Sequence, residues 1–151
     1  MRVELEDTVA GVDPERALSW WTDYREGQRD HTFVPGIERR VMEEQRAHVI
    51  EDRVEWLGLP VFTERVRAQQ RGNTVKLLGE NTWATFRARY TFEPTFDPEG
   101  TQVSLVADVD PRGPLSWISG ATRPIVERIL RWDTRHHLEE MREELVDPLA
   151  V

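Results

Sequence analysis

The stretch that decides the fold is RPIVERILRWDTRHHLEEMREEL, residues 123–145. Its apolar residues recur at intervals of three or four, which is the spacing of one face of an α-helix. Before about Leu115, apolar residues instead alternate with polar ones in short runs, as they do in β-strands. The sequence therefore predicts a sheet followed by a long C-terminal helix from about 123 to 146. Pro124 interrupts the helical period, which predicts a separate short helix near 114–119.

The predicted long helix carries two apolar stripes, because successive residues advance by about 100° around a helix. The first stripe consists of Ile118, Ile125, Ile129, Trp132 and His136. The second consists of Leu130, Thr134, Leu138, Met141 and Leu145. One stripe must grip the sheet, and the other is expected to pack on an N-terminal helix or on a second subunit. A homodimer therefore stays open as an alternative.

The rest of the chain predicts one strand, one helix and then six strands. RVELEDTVAG alternates as a half-buried strand, and Asp13 followed by Pro14 is a good helix start. REGQRDHTFVPG is predicted as a polar connection, with a second short helix as the alternative. Short strands joined by tight turns are typical of an antiparallel sheet. The six strands are predicted at 37–45, 47–57, 61–70, 74–79, 82–94 and 101–109.

Length, charge and composition limit the classes of protein to which this chain can belong. A chain of 151 residues is expected to form one domain, residues 1–151, of the α+β class. It contains no cysteine, which excludes disulfides and thiolate chemistry. The net charge of −8 argues against nucleic acid and anionic lipid as partners. No stretch has the pattern of a signal peptide or an integral membrane segment, so a cytoplasmic protein is the default expectation.

The histidine pair within the long helix invites a metal-site hypothesis, which the spacing does not support. Adjacent residues on a helix do not converge on one ion, and zinc requires three or four ligands. The pairs Asp133–His137 and His136–Glu140 are each four residues apart, so they are predicted to be ordinary helix-surface pairs. We predict no metal and no cofactor. The sequence also lacks a glycine-rich phosphate loop and a G-x-S-x-G nucleophile turn.

Several phrases of the sequence resemble the START/Bet v 1-like (SRPBCC) superfamily, in particular its bacterial polyketide cyclase/dehydrase and lipid transport group. The phrases span most of the chain, and none of them is a catalytic motif. They are DPERALSWWTDY, FVPGIERRVME, RYTFEP with EGTQVSLVADV, and GPLSWISGATRPIVERILRWDTRHHLEEM. The resemblance implies a helix-grip fold, in which a curved antiparallel sheet of about seven strands wraps around the C-terminal helix. It also implies a hydrophobic ligand in a hollow under that helix, without naming a reaction.

Two polar residues share the apolar face of the strand at 47–57. His48 and Asp52 alternate in phase with Ile50 and Trp56, so all four are expected to face the hollow. Four residues of strand place the two polar backbones roughly 13 Å apart, so each would orient a ligand, or act as acid or base, by itself. The alternative is that both are solvated at the sheet ends or neutralised by a neighbouring arginine.

The remaining candidates are aromatic, aliphatic or basic. In helix-grip proteins the segment before the proline break lies over the cavity mouth, which points to Trp117 and Ile118. Arg65 is ambiguous, because its neighbours Phe62, Val66 and Ala68 compete for the inner face. It would anchor a carboxylate if it faced inward and would pair with a glutamate if it faced outward. The full set predicted to contact ligand is Trp56, Phe86, Tyr90, Trp117, Ile118, Ile125, His48, Asp52 and Arg65.

Three functions remain open at this point. The first is a non-enzymatic module that binds or carries a hydrophobic small molecule or lipid. The second is a cyclase or dehydratase working in the same cavity, which requires His48, Asp52 or Arg65 to converge. The third is a protein-interaction module with a vestigial cavity. We favour the first, because no motif in the sequence points to a particular reaction.

Overall fold

The computed structural model describes residues 1–24, 27–31, 34–113, 116 and 122–146. Within them lie two α-helices, α1 (Pro14–Trp21) and α2 (Thr122–Leu145). The same residues hold eight strands: β1 (Arg2–Ala10), β2 (Gly27–His31), β3 (Val34–Glu44), β4 (Ala47–Trp56), β5 (Leu59–Arg71), β6 (Thr74–Asn81), β7 (Ala84–Phe96) and β8 (Glu99–Pro111). The α+β class and the long C-terminal helix are confirmed. The short helix predicted near 114–119 falls largely outside the described residues.

All eight strands form one antiparallel sheet in the order β1-β8-β7-β6-β5-β4-β3-β2. From β2 to β8 each strand pairs with the next one along the chain. The first strand instead pairs with the last, so that Val3 lies opposite Ala107 and Val9 opposite Thr101. One more strand is present than the predicted seven. Residues 27–31, predicted as a connection or a short helix, form β2 at the sheet edge, where backbone pairing with β3 makes a strand that periodicity does not reveal.

Helix α1 begins and ends where its sequence provides caps. The Asp13 carboxylate accepts a hydrogen bond from the Arg16 backbone N–H at 3.0 Å, and Pro14 occupies the first turn. At the other end, the Thr22 hydroxyl donates to the Leu18 carbonyl. The helix packs against β7, β8 and α2, and its Ala17 is completely buried. It therefore closes one end of the core.

Helix α2 grips the sheet with the second of its two stripes. Thr134, Leu138 and Met141 are buried, and Met141 is 0% exposed. On the first stripe, Ile125 is 58% exposed and Ile129 is 42% exposed. The helix packs on β1 and α1. The question of which stripe grips is thus answered, and the first stripe faces away from the core.

The sheet has one face against the helices, which we call the helix face, and an opposite outer face. The helix face of the strands beside α1 and α2 carries the main core, as alternation along β1, β7 and β8 predicts. Its fully buried side chains include Val75, Phe92, Val103 and Leu105. The helices cover β1, β7 and β8, because α2 packs on β1 and α1 packs on β7 and β8. Any open part of the helix face must therefore lie towards β4 and β5.

Candidate functional site

The helix face continues beyond the main core as a second, smaller apolar cluster. Ile50, Val66 and Ala68 are buried there on β4 and β5. Leu77 and Phe86 pack against both clusters, which makes the apolar surface continuous from β1 to β4. Tyr24, just after α1, also packs against the small cluster. Among the described residues, α2 packs mainly on β1 and α1 and has no extensive packing on β4 or β5.

A line of polar residues crosses the helix face beside this small cluster. The strand registers pair Arg39 with Asp52, Asp52 with Glu64, and Glu64 with Asn81. The four side chains therefore come from four neighbouring strands, β3 to β6, at the same level of the sheet. We call this set the polar row. A row of polar groups set into an otherwise apolar face is typical of a small-molecule site, in which a few polar groups fix the orientation of the ligand.

The first half of the polar row is an ion pair between Arg39 and Asp52, joined by two hydrogen bonds. Arg39 donates from Nε to Asp52 Oδ1 at 2.7 Å and from Nη2 to Oδ2 at 2.6 Å, which is two-point pairing of guanidinium and carboxylate. Asp52 is only 4% exposed, and the Arg39 side chain is 17% exposed. Burial by itself lowers the pKa of Arg39, but the hydrogen bond and charge of Asp52 outweigh it and leave that pKa raised. Arg39 therefore keeps its positive charge.

The second half of the polar row is an acid held by an amide. Asn81 Oδ1 accepts hydrogen bonds from the backbone N–H groups of Trp83 and Ala84, both at 2.9 Å. This fixes the amide orientation, so Asn81 Nδ2 donates to Glu64 Oε2 at 3.1 Å. Burial raises the pKa of Glu64 from 4.5 to about 7, with smaller raising effects from Asp52 and Asp133. Glu64 can therefore hold or release a proton near neutral pH.

Helix α2 contributes polar groups on the side that approaches the row. Asp133 lies close enough to raise the pKa of both Glu64 and Tyr90, although burial is the larger cause in each case. His137 Nδ1 lies 2.9 Å from the Asp133 carbonyl oxygen and 3.6 Å from its Oδ1. On the opposite side, the Tyr24 ring lies 5.3 Å from the ring of His48. Burial raises the pKa of Tyr24 to about 12, so its hydroxyl stays protonated.

The predicted helix-surface pairs of the histidines are both present. His136 Nε2 lies 3.2 Å from Glu140, and the Asp133–His137 contact has just been described. The ring of His136 also stacks on Trp132 at a centroid distance of 5.4 Å. Among residues 1–24, 27–31, 34–113, 116 and 122–146, no group of three or more His, Asp or Glu side chains is arranged to hold a metal ion.

Gly79 provides the space for an aromatic side chain on the helix face. A Cβ atom at this position would overlap the ring of Phe86, the residue of β7 that pairs directly with Gly79. Gly79→Ala should therefore lower the free energy of unfolding by about 1–3 kcal/mol, measured by urea denaturation, because the ring is forced out of place. In a Phe86→Ala background the same change should cost under about 1 kcal/mol, since the obstructing ring is gone. An equal cost in both backgrounds would contradict this account.

The raised pKa of Glu64 predicts in which direction the free energy of unfolding changes with pH. The folded pKa of about 7 lies above the ordinary value of 4.5, so the protonated acid favours folding. The contribution of Glu64 is fully present below pH 4.5 and is lost as the pH rises through 7. Relative to Glu64→Gln, the wild-type free energy of unfolding should fall across this window by at most about 3 kcal/mol. Urea titrations of both proteins across this pH range measure the difference, and a constant or reversed difference contradicts the prediction.

The structure brings some of the sequence-predicted residues together on the helix face. His48, Asp52, Phe86 and Tyr90 all lie there, and Asp52 and Tyr90 are buried. Asp52 is neutralised by a neighbouring arginine, which was the alternative interpretation of that residue. The predicted Trp117 and Ile118 lie outside the described residues.

Three predicted residues lie elsewhere: the expected positions of Trp56 and Ile125 are corrected, and the open question of which face carries Arg65 is answered. Arg65 lies on the outer face, since its neighbours Glu64 and Val66 face the helices, and it approaches Glu51 at 3.7 Å. It lines an open depression of about 850 Å³ there, with charges of both signs. Trp56 is 68% exposed, because the register shifts at Glu55 and the hairpin ends beyond it. Ile125 belongs to the exposed stripe of α2.

Sequence reasoning missed Arg39, Glu64 and Asn81 as members of the site. The signal for Glu64 was available, because strand alternation places it in phase with Val66 and Ala68. Because Thr63 and Arg65 are also polar, three polar residues stand in a row and the alternation is hard to recognise there. Arg39 and Asn81 depend on which residues of neighbouring strands face each other, and this register is set by the pairing of whole strands.

Comparison with known proteins identifies the architecture. No protein-family model and no curated protein matches the sequence. Among solved structures, the protein TTHA0849 of Thermus thermophilus matches 97% of this chain and 100% of its own, with a TM-score of 0.67 and 17% identity. A START superfamily protein from Mycobacterium smegmatis matches 99% of this chain and 99% of its own, with a TM-score of 0.64 and 18% identity.

A third similar structure is BexL, the di-domain ARO/CYC from the BE-7585A biosynthetic pathway. The match covers 97% of this chain and 50% of BexL, with a TM-score of 0.67 and 14% identity. No helix among the described residues has both the length and the apolar character needed to cross a membrane. With its antiparallel sheet gripping a long C-terminal helix, the chain has a START-like, helix-grip fold.

Proposed function

We propose that this protein binds an apolar small molecule or lipid between the helix face of the sheet and α2, with the polar row holding the polar end of the ligand. The observation that carries the proposal is the row itself. Four polar side chains on four adjacent strands are costly to place beside a buried apolar cluster, and their arrangement is that of groups that orient a bound molecule.

The apolar part of the ligand would lie against the small cluster. Phe86 and Leu77 are only half-buried, although both face the helices and connect the two clusters. Beyond them, Ile50 and Val66 continue the apolar surface up to Asp52 and Glu64. A ligand lying along this surface would bury apolar area at one end and reach hydrogen-bonding groups at the other. Transport of such a ligand is consistent with the same site.

Catalysis by the three residues first considered has less support. His48 lies against the Tyr24 ring, and Asp52 is committed to Arg39. Arg65 lies on the opposite face of the sheet. These side chains do not share a common point, which a cyclase or dehydratase mechanism built on them requires. Glu64, with a pKa of about 7, is the remaining group suited to acid–base chemistry.

Binding is tested with Nile red, an uncharged apolar dye that fluoresces strongly when removed from water. We expect saturable binding at low micromolar concentration, and extraction of freshly purified protein followed by mass spectrometry should reveal a co-purifying apolar compound. Leu77→Trp should weaken dye binding about tenfold or more, because the larger ring fills space on the helix face.

Leu78→Trp is the matched control, since Leu78 is the next residue, lies on the outer face and is 56% exposed. It should leave dye binding unchanged. Circular dichroism and melting temperature establish that both variants are folded. Absence of dye binding by the wild-type protein, or equal weakening by the two variants, would refute the proposal.

A protein-interaction role is favoured by a separate observation and is the weaker alternative. Large apolar side chains are exposed on the first stripe of α2 and at the hairpin between β4 and β5, where Leu57 is 81% exposed. Exposed apolar patches often mark interaction sites. Light scattering decides whether they join two copies of the chain, because a homodimer doubles the 17.7 kDa mass.

A further inference from the structure

One end of the sheet carries a cluster of exposed apolar side chains. In the hairpin between β4 and β5, Trp56 and Leu59 are each 68% exposed, Leu57 is 81% exposed, and Val61 is exposed as well. Trp83, in the turn between β6 and β7, is also exposed. We call these five residues the apolar tip. Exposed apolar surface is unfavourable in water, and a contiguous patch of it often marks a contact with a partner.

The two turns of the apolar tip are joined, so they form one surface. The Thr63 backbone N–H donates to the Thr82 hydroxyl oxygen at 3.0 Å, and the Thr82 backbone N–H donates to the Thr63 carbonyl at 3.1 Å. Beside this junction the ring of the buried Phe62 lies 5.2 Å from the ring of Trp83. The tip is therefore a preformed apolar surface with a buried aromatic ring as its support.

Leu57 occupies a backbone position that does not suit a leucine. Trp56 pairs with Leu59, so Leu57 and Gly58 alone make the turn, with φ angles of 51° and 77°. Positive φ at both central residues is characteristic of a type I′ turn, which favours asparagine or glycine at the first position. A leucine there is strained as well as exposed. Its high exposure leaves little contact within the fold to offset that strain, which points to a contact outside the chain.

The composition of the apolar tip favours an uncharged lipid surface as its partner. Residues 56–63, WLGLPVFT, contain no charged residue, in a chain of which 32% is charged. The preceding charges on β4, Arg53 and Glu55, pair with each other at 2.8 Å. The net charge of −8 opposes approach to anionic headgroups. Tryptophan, in contrast, is enriched at the interface between a bilayer and water, where apolar and polar surroundings meet.

The shape of the hairpin also fits a bilayer better than a second folded protein. Its apex is a turn of only two residues, and the side chains at the apex and on both flanking positions are exposed. A folded partner covers an apex from one side. The headgroup region of a bilayer surrounds an inserted apex, so it removes all of these apolar side chains from water together.

We propose that the apolar tip docks this protein on the surface of a lipid bilayer with zwitterionic, uncharged headgroups. β4 and β5 run from the tip to the polar row, where Asp52 pairs with Glu64. The four residues from Trp56 back to Asp52 span roughly 13 Å of strand, so docking brings the ligand site close to the bilayer. The docking does not depend on the ligand. Only its use as a route for ligand exchange rests on the proposed function.

Flotation of the whole chain with phosphatidylcholine vesicles tests the proposal. About half of the wild-type protein should float with the vesicles at a lipid concentration on the order of 1 mM. Leu57→Asn should weaken this binding about tenfold or more, because it removes the most exposed side chain of the tip. The same change should leave the melting temperature equal or higher, since asparagine suits a type I′ turn. Weaker binding with undiminished stability excludes misfolding as the cause.

Phe96→Asn is the matched control. Phe96 is 87% exposed in the hairpin between β7 and β8, and β7 runs from the turn that holds Trp83 to this opposite end of the sheet. The variant should float as wild type does. Equal weakening by Leu57→Asn and Phe96→Asn would overturn the proposal, because general adhesion of apolar side chains would then explain the binding.

Three further outcomes would also overturn the docking proposal. They are absence of wild-type flotation, flotation that requires anionic phosphatidylglycerol, and a dimer in light scattering that Leu57→Asn dissociates, which would assign the tip to a second copy of the chain. The ligand proposal is judged separately by Nile red in the absence of vesicles. Dye binding without flotation refutes docking alone, and flotation without dye binding refutes the ligand site alone.

Discussion

Asp52→Ala is expected to lower the free energy of unfolding by about 3–5 kcal/mol, because it leaves the Arg39 guanidinium enclosed without its partner. The two groups are joined by hydrogen bonds of 2.6 and 2.7 Å, and the aspartate is 4% exposed. Removing one member of such a pair costs far more than the pair contributes, since the remaining charge must be desolvated alone. Urea denaturation at neutral pH, followed by circular dichroism, measures the loss.

Two comparisons separate this effect from simple loss of contacts. Glu55→Ala removes a carboxylate of the same strand that pairs with Arg53 at 2.8 Å, where both side chains are at least half exposed, and it should cost about 1 kcal/mol or less. The double variant Arg39→Met with Asp52→Leu should be more stable than Asp52→Ala, because no uncompensated charge remains. If the double variant is the less stable of the two, the explanation by an unpaired charge is wrong.

Met141→Ala is the second large effect, with an expected loss of about 2–5 kcal/mol in the free energy of unfolding. Met141 is completely buried on the gripping stripe of α2, so truncation removes apolar contacts and leaves a cavity. Ile129→Ala lies on the same helix but on the exposed stripe, at 42% exposure, and should change stability by about 0.5 kcal/mol or less. A larger loss from Ile129→Ala would show that its stripe is covered in solution, and sedimentation of the two variants would then test for a second copy.

Much of the fold could be predicted because its signals are local. The change from period two to period 3.6 near residue 115 locates α2, and Asp13 with Pro14 locates the start of α1. Alternation also placed His48 and Asp52 on the face towards the helices. β2 was missed because a short edge strand is defined by its backbone partner β3 and leaves little pattern of its own.

The candidate site was only half predictable, because its members meet through pairing between strands. Asp52 was identified from its own strand, whereas Arg39 comes opposite it only through the β3–β4 register. Trp56 follows the alternation of β4 in the sequence, but the irregularity at Val54 and Glu55 breaks that alternation before the strand ends. The two stripes of α2 could be seen in the sequence, yet only packing decides which of them is buried.

The pairing of the first strand with the last governs when the core can form during synthesis. The Met1 amino group donates to the Val109 carbonyl at 2.9 Å, across 108 positions of sequence. The ribosome releases β1 and α1 before it makes their buried partners on β8 and α2. Contacts of such long range slow folding, because a large loop must close before they form. The nascent chain therefore carries an unfinished apolar surface until residues near Leu145 emerge from the ribosome.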